Sequence, residues 1–180
     1  MLLKYDGQTY KCNVFYLQCI TNYAYFCGIN IINMAYDIQL KLPEPWRQET
    51  DTYLDESGAE ITHLEAHLYL KENAPDDGMI DIYVGDMPED TTAEDQALSN
   101  YADIVGFDED DPEDFNPIFK IKFNGKNAYG FEALCEDESP MMFLAQEVKS
   151  GILAIICLAA ANEDKLKALV KLVEINFRVR

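Results

Sequence analysis

Positive charge is scarce in this chain. It has 14 Lys and Arg residues against 33 Asp and Glu residues, which gives a formal net charge of -19 at pH 7. Proteins that bind phosphate backbones need clustered Lys and Arg, so this balance argues against nucleic acid and equally against anionic membrane surfaces. Such an acidic surface mainly keeps a protein in solution, and it leaves cations and basic proteins as compatible partners.

Long apolar runs and paired cysteines are also missing. The longest apolar run, residues 152–161 (ILAIICLAAA), has about half of the roughly 20 residues that a membrane-spanning helix needs. We therefore predict no membrane association. The five cysteines are an odd set without a CxxC pair, so neither a complete disulfide framework nor a zinc knuckle is indicated. A reducing compartment, and hence the cytoplasm, is the simplest inference.

Catalytic signatures are absent from the sequence. There is no phosphate-binding glycine loop of either common type and no GxSxG motif. Ser139 precedes a proline and has no assignable base, while Cys135 lies among carboxylates that disfavour its thiolate. The sequence therefore predicts no catalytic residue and no cofactor, and it favours a non-enzymatic protein.

Two histidines and a glutamate suggest a metal site that their spacing does not support. His63, Glu65 and His67 alternate with apolar residues, which places them on one face of a predicted strand over residues 61–71. Four residues along a strand separate His63 from His67 by roughly 13 Å, which is too far for one ion. No metal-ligating residue is therefore predicted.

The composition changes at Met34. Residues 1–33 contain three of the five cysteines, five of the eleven tyrosines and a single acidic residue. Three interpretations stay open: a hairpin-like extra segment, a weak export signal, or sequence upstream of a translation start at Met34. The first and third are favoured, because polar residues interrupt the apolar stretch and no cleavage site is evident. Residues 34–180 are predicted to form one domain.

The pattern after Met34 predicts an α+β fold. Apolar alternation indicates strands, an Asn124-Gly125 turn indicates a hairpin, and Thr91 with Glu94 has the spacing of a capping box. The run at residues 152–161 is expected to be a strand buried on both faces, followed by a helix that begins after Asn162. The predicted strands lie at residues 35–42, 61–71, 80–85, 118–133 (as a hairpin), 141–148, 152–161 and 175–179; the predicted helices start near residues 91 and 162, and residues 49–60 are expected to be a polar loop.

This order of elements resembles the PsbP-like fold. The matching pieces are Leu42 to Trp46 (LPEPW), after the first strand, and residues 151–179, which end in NFRV. That fold is shared by an extrinsic photosystem subunit, a Ran-binding nuclear import factor and many small bacterial domains of unknown function, and the chain looks most similar to the uncharacterised bacterial domains. The resemblance implies an antiparallel β-sheet with helices packed on its faces, an α/β/α sandwich. It also implies a binding or assembly role, since the better-known relatives act by docking to other proteins.

The densest charge run has no counterpart in that fold. Residues 107–115 (FDEDDPEDF) place six carboxylates between two phenylalanines. The first hypothesis is a non-enzymatic interaction module that uses this surface to bind an unidentified protein partner, a basic one being compatible with the charge. One alternative is a divalent-cation-binding domain using the same loop, and another is a hydrolase with an unrecognised carboxylate site. The candidate interaction surface consists of Asp108, Glu109, Asp110, Asp111, Glu113 and Asp114.

Overall fold

The computed structural model describes residues 36–55, 57–68, 77–107, 115–135 and 137–180. These residues form a seven-stranded antiparallel sheet, a separate two-stranded sheet and two helices, so the predicted α+β class is confirmed. The strands are β1 Ile38–Leu40, β2 Trp46–Leu54, β3 Glu60–Leu68, β4 Gly78–Asp86, β5 Phe119–Phe123, β6 Lys126–Leu134, β7 Pro140–Lys149, β8 Ile152–Ala160 and β9 Phe177–Val179. The helices are α1 Ala93–Ile104 and α2 Glu163–Asn176.

The seven-stranded sheet consists of two meanders that meet in its middle. Its strand order is β2-β3-β4-β8-β7-β6-β5, so β4 and β8 form the junction between the chain's first and second halves. The connection from β4 to β5 passes through α1 and spans from the centre of the sheet to its far edge. Ile152–Ala160 is thus a central strand, buried along most of its length as its apolar sequence predicts.

Each face of the sheet supports a separate hydrophobic core with one helix. On one face α2 packs Leu166, Leu169 and Val173 against the central strands, together with β1 and β9. On the other face α1 packs Ala97 and Tyr101 over β6 and β7. One strand contributes side chains to both cores because its successive side chains point to opposite faces of the sheet.

The Asn124-Gly125 turn fixes the hairpin register that the sequence predicts. Phe123 pairs with Lys126, and Phe119 pairs with Gly130. Asn124 and Gly125 both have positive φ values, 51° and 77°, which this two-residue turn requires. A Cβ atom at Gly130 would lie 2.0 Å from the carbonyl oxygen of Phe143 on β7. The neighbouring backbone of β7 therefore explains the glycine at this position.

Several predicted boundaries are wrong. The sequence predicts a loop over residues 49–60, but half of these residues belong to β2. This strand lies at the edge of the sheet with mostly exposed side chains and therefore shows little apolar alternation. The capping box of α1 uses Thr92 and Asp95, one residue later than predicted. Ile175 belongs to α2 and is 68% exposed, so the last strand contains only Phe177–Val179. That strand pairs with β1, which is itself shorter than predicted.

Candidate functional site

The six carboxylates of the predicted interaction surface lie outside the described residues, but the residues that flank them are described. Phe107 and Phe115 both contact the ring of Tyr101 on α1, with ring centroids 5.3 Å and 6.5 Å from it. Tyr101 also packs edge-on against Phe131 of β6, at 5.2 Å. One buried tyrosine therefore anchors both ends of the acidic segment to the sheet. Phe107 remains 49% exposed, which is unusual for a phenylalanine.

A second candidate site is a cleft of about 690 Å³ beside the N-terminus of α1. The helix contributes Thr92 and Ala93, while the strands and turns opposite contribute three lysines. Lys122 comes from β5, Lys126 from the start of β6 and Lys149 from the end of β7. A cleft with this many cations is unexpected on a chain with 33 acidic residues. Sequence analysis did not identify it, because its residues come from separate elements.

The polar groups of this cleft, which we call the lysine cleft, have few partners. Lys126 donates a hydrogen bond from Nζ to the carbonyl oxygen of Val148. The one carboxylate in the lining, Glu147, accepts a hydrogen bond from the Gly151 amide at 2.9 Å. Within the described ranges, Lys122 and Lys149 form no ion pair. Their ammonium groups are exposed and available to a ligand.

A third group of polar residues surrounds His63 on β3. Its Nδ1 lies 3.3 Å from Asp51 of β2, and its Nε2 lies 3.2 Å from Asp81 of β4. The ring stacks on Tyr83 with centroids 4.3 Å apart and planes 3° apart. His63 and Asp81 are buried, whereas the side chain of Asp51 is 61% exposed. Each of the two ring nitrogens therefore faces a carboxylate from a neighbouring strand.

Two tyrosines beside His63 are held in their protonated form. Burial, followed by the charge of Asp81, raises the pKa of Tyr83 far above its ordinary value, and no described residue is a hydrogen-bond partner of its buried hydroxyl. Burial and the charges of Asp51 and Asp55 raise the pKa of Tyr53 to about 12. Phenols with raised pKa values are poor general bases at neutral pH. This polar group is therefore a structural connection between three strands.

The other residues considered from the sequence do not come together as a site. His67 contacts Glu65 at 2.5 Å rather than sharing a ligand with His63, and no cluster of potential metal ligands occurs among the described residues. The Ser139 hydroxyl donates to Asp137 at 2.6 Å, within the turn between β6 and β7. Burial raises the pKa of the Cys135 thiol, with a contribution from Asp137, which agrees with the prediction that its thiolate is disfavoured.

Comparisons with known protein families, with curated proteins and with solved structures found no match to this chain. In the part of the chain that the structure describes, every helix is too short or too polar to cross a membrane.

Proposed function

We propose that this chain is a non-enzymatic interaction module that captures a protein partner through its acidic segment, residues 108–114. The observation that carries the proposal is the anchoring of both flanking phenylalanines on Tyr101. A short segment whose two ends are fixed to a helix loses less conformational entropy on binding than a free tail does.

The chemistry of the segment and its flank favours a basic protein partner. Six carboxylates in seven residues attract basic surfaces and speed up their association. Phe107, half-exposed next to these charges, offers the type of aromatic side chain that often supplies a large share of interface energy. Together they combine an apolar contact with a charged rim, the usual arrangement of a protein interface.

The cellular compartment and the PsbP-like fold are also part of this proposal. Among the described residues, neither Cys135 nor Cys157 is in a disulfide, which supports a reducing, cytoplasmic environment. One helix on each face of the main sheet supports the PsbP-like α/β/α sandwich. The better-known proteins with that fold act by docking to other proteins, which agrees with a binding role for this chain.

Affinity capture from native lysate, read by mass spectrometry, tests the proposed function. One bait is the full chain and the second carries Asp→Asn at positions 108, 110, 111 and 114. A matched control neutralises four exposed carboxylates elsewhere: Glu44→Gln, Glu49→Gln, Glu89→Gln and Asp164→Asn. We expect the full chain and the control to recover a partner that the variant carrying the four Asp→Asn changes does not recover.

The result that would contradict the proposal is a partner recovered equally by all three baits. That outcome would place the contact elsewhere on the surface. Absence of any specific partner would also contradict it, and a calcium or magnesium titration would then test the cation-binding alternative. Heat release and a higher melting temperature are the expected signs of a ligand that binds only the folded state.

A further inference from the structure

The lysine cleft concentrates positive charge where the rest of the chain has little. Three of the 14 basic residues line it together with one carboxylate, so its lining carries a net charge of about +2 within a chain of net charge -19. A fourth cation, Lys120, lies on β5 with Lys122, and its Nζ packs 5.1 Å from the ring centroid of Tyr129, a lining residue. Lys120 and Lys122 share one face of β5 because the residues that alternate with them, Phe119, Ile121 and Phe123, face the opposite core.

Like charges that line one cleft raise its local positive potential, which attracts anions. Lys122 and Lys149 are exposed, and among the described residues neither has a carboxylate within ion-pair distance. The carboxylate of Glu147 is engaged with the amide of Gly151, at the turn between β7 and β8. The cleft therefore has cationic donors that its own lining does not neutralise.

The N-terminus of α1 adds donors to the same cleft. Thr92 and Asp95 form a reciprocal capping box, which uses the amides of both residues. The amides of Ala93 and Glu94 have no acceptor among the described residues, and Ala93 lines the cleft. The Asp95 carboxylate offsets part of the positive helix end, so the lysines supply most of the attraction for an anion.

We propose that the lysine cleft binds an organic phosphate of metabolite size. The volume of about 690 Å³ falls within the range of small-molecule sites and is much larger than an inorganic ion requires. The lining has lysines and no arginine. Lys122 of β5 and Lys149 of β7 act as point charges beside a multiply charged phosphate, whereas planar carboxylates are best matched by the fork of an arginine.

The residues that flank the acidic segment lie away from this cleft. Phe107 and Phe115 contact Tyr101 in the C-terminal half of α1, whereas the cleft lies at the helix N-terminus.

Isothermal titration calorimetry on the full chain at low ionic strength tests the inference. The probes are fructose 1,6-bisphosphate and adenosine diphosphate, with citrate as a multiply charged anion that has only carboxylates. The test variant carries Lys122→Gln and Lys149→Gln. The control carries Lys41→Gln and Lys171→Gln, which remove the same charge from exposed positions outside the cleft.

We expect at least one of the two phosphates to bind, with affinity that falls as salt is added because exposed charges are screened. The cleft variant should bind at least tenfold more weakly, and the control should differ from the unmodified chain by less than twofold. Absence of binding by both phosphates would overturn the inference. If the two variants bound the phosphates equally weakly, the assignment of the binding site to the lysine cleft would be overturned. If citrate bound as tightly as the phosphates, the assignment of the ligand as an organic phosphate would be overturned.

Discussion

Replacing His63 by phenylalanine is expected to leave a buried charge without its partner. His63 Nε2 lies 3.2 Å from Asp81, whose side chain is only 5% exposed. Phenylalanine keeps a flat ring against Tyr83 but has no nitrogen to donate a hydrogen bond. A buried carboxylate that loses its hydrogen-bond partner stays desolvated, at a cost of about 3 kcal/mol. For a protein of this size, that corresponds to a melting temperature lower by roughly 6–12 °C.

Two further variants separate the cost of leaving Asp81 without a partner from the cost of packing a phenylalanine ring at position 63. Asp51→Asn changes the other carboxylate that faces His63, but its side chain is 61% exposed, so the cost should not exceed about 1 kcal/mol. Adding Asp81→Asn to the His63→Phe variant removes the buried charge itself. The double variant should therefore be at least about 2 kcal/mol more stable than His63→Phe alone.

Urea denaturation followed by circular dichroism measures these differences in the free energy of unfolding. A double variant no more stable than His63→Phe alone would refute a cost that comes from the buried Asp81 carboxylate. Equal destabilisation by Asp51→Asn and His63→Phe would also refute it, since the buried and exposed carboxylates would then be equivalent.

Two further predictions concern the sheet. Gly130→Ala should cost about 3 kcal/mol, because its Cβ would lie 2.0 Å from the Phe143 carbonyl oxygen, and a melting temperature within 2 °C of the unmodified value would contradict this. Partial desolvation of Glu132, followed by the nearby charge of Glu163, raises the pKa of this exposed glutamate, so its ionisation destabilises the folded state. The stability associated with the protonated form is complete below the ordinary glutamate pKa and is lost as the pH rises through the raised value. Glu132→Gln should therefore raise the melting temperature at pH 7 by about 1–2 °C and give no gain below pH 4, whereas an equal gain at both pH values would contradict the assignment.

Sequence reasoning succeeded where one local rule determines the structure. The Asn124-Gly125 turn fixes its hairpin register, and the apolar run at 152–161 has to be a central strand, because few positions bury both faces. It failed at β2, since an edge strand exposed to solvent has little apolar alternation. It also failed at Ile175, whose alternation with Phe177 resembles a strand although α2 continues through it.

The candidate sites were less predictable than the fold, because they assemble residues that are distant in the sequence. His63 was identified as a polar residue on a strand face, but its contacts with Asp51 and Asp81 depend on the order of three strands. The alternation of Lys120 and Lys122 with apolar residues, combined with the hairpin register, could have indicated a cationic face. Lys149 could not have been added to it without the position of β7 in the sheet.

The central claim is that the chain acts by binding a partner through residues 108–114. The most direct measurement compares the partner recovered by the full chain with that recovered by the variant carrying Asp→Asn at 108, 110, 111 and 114, at low, physiological and high salt. We expect recovery by the full chain to fall as salt increases and the variant to recover none. Equal recovery by both proteins at every salt concentration would contradict the claim.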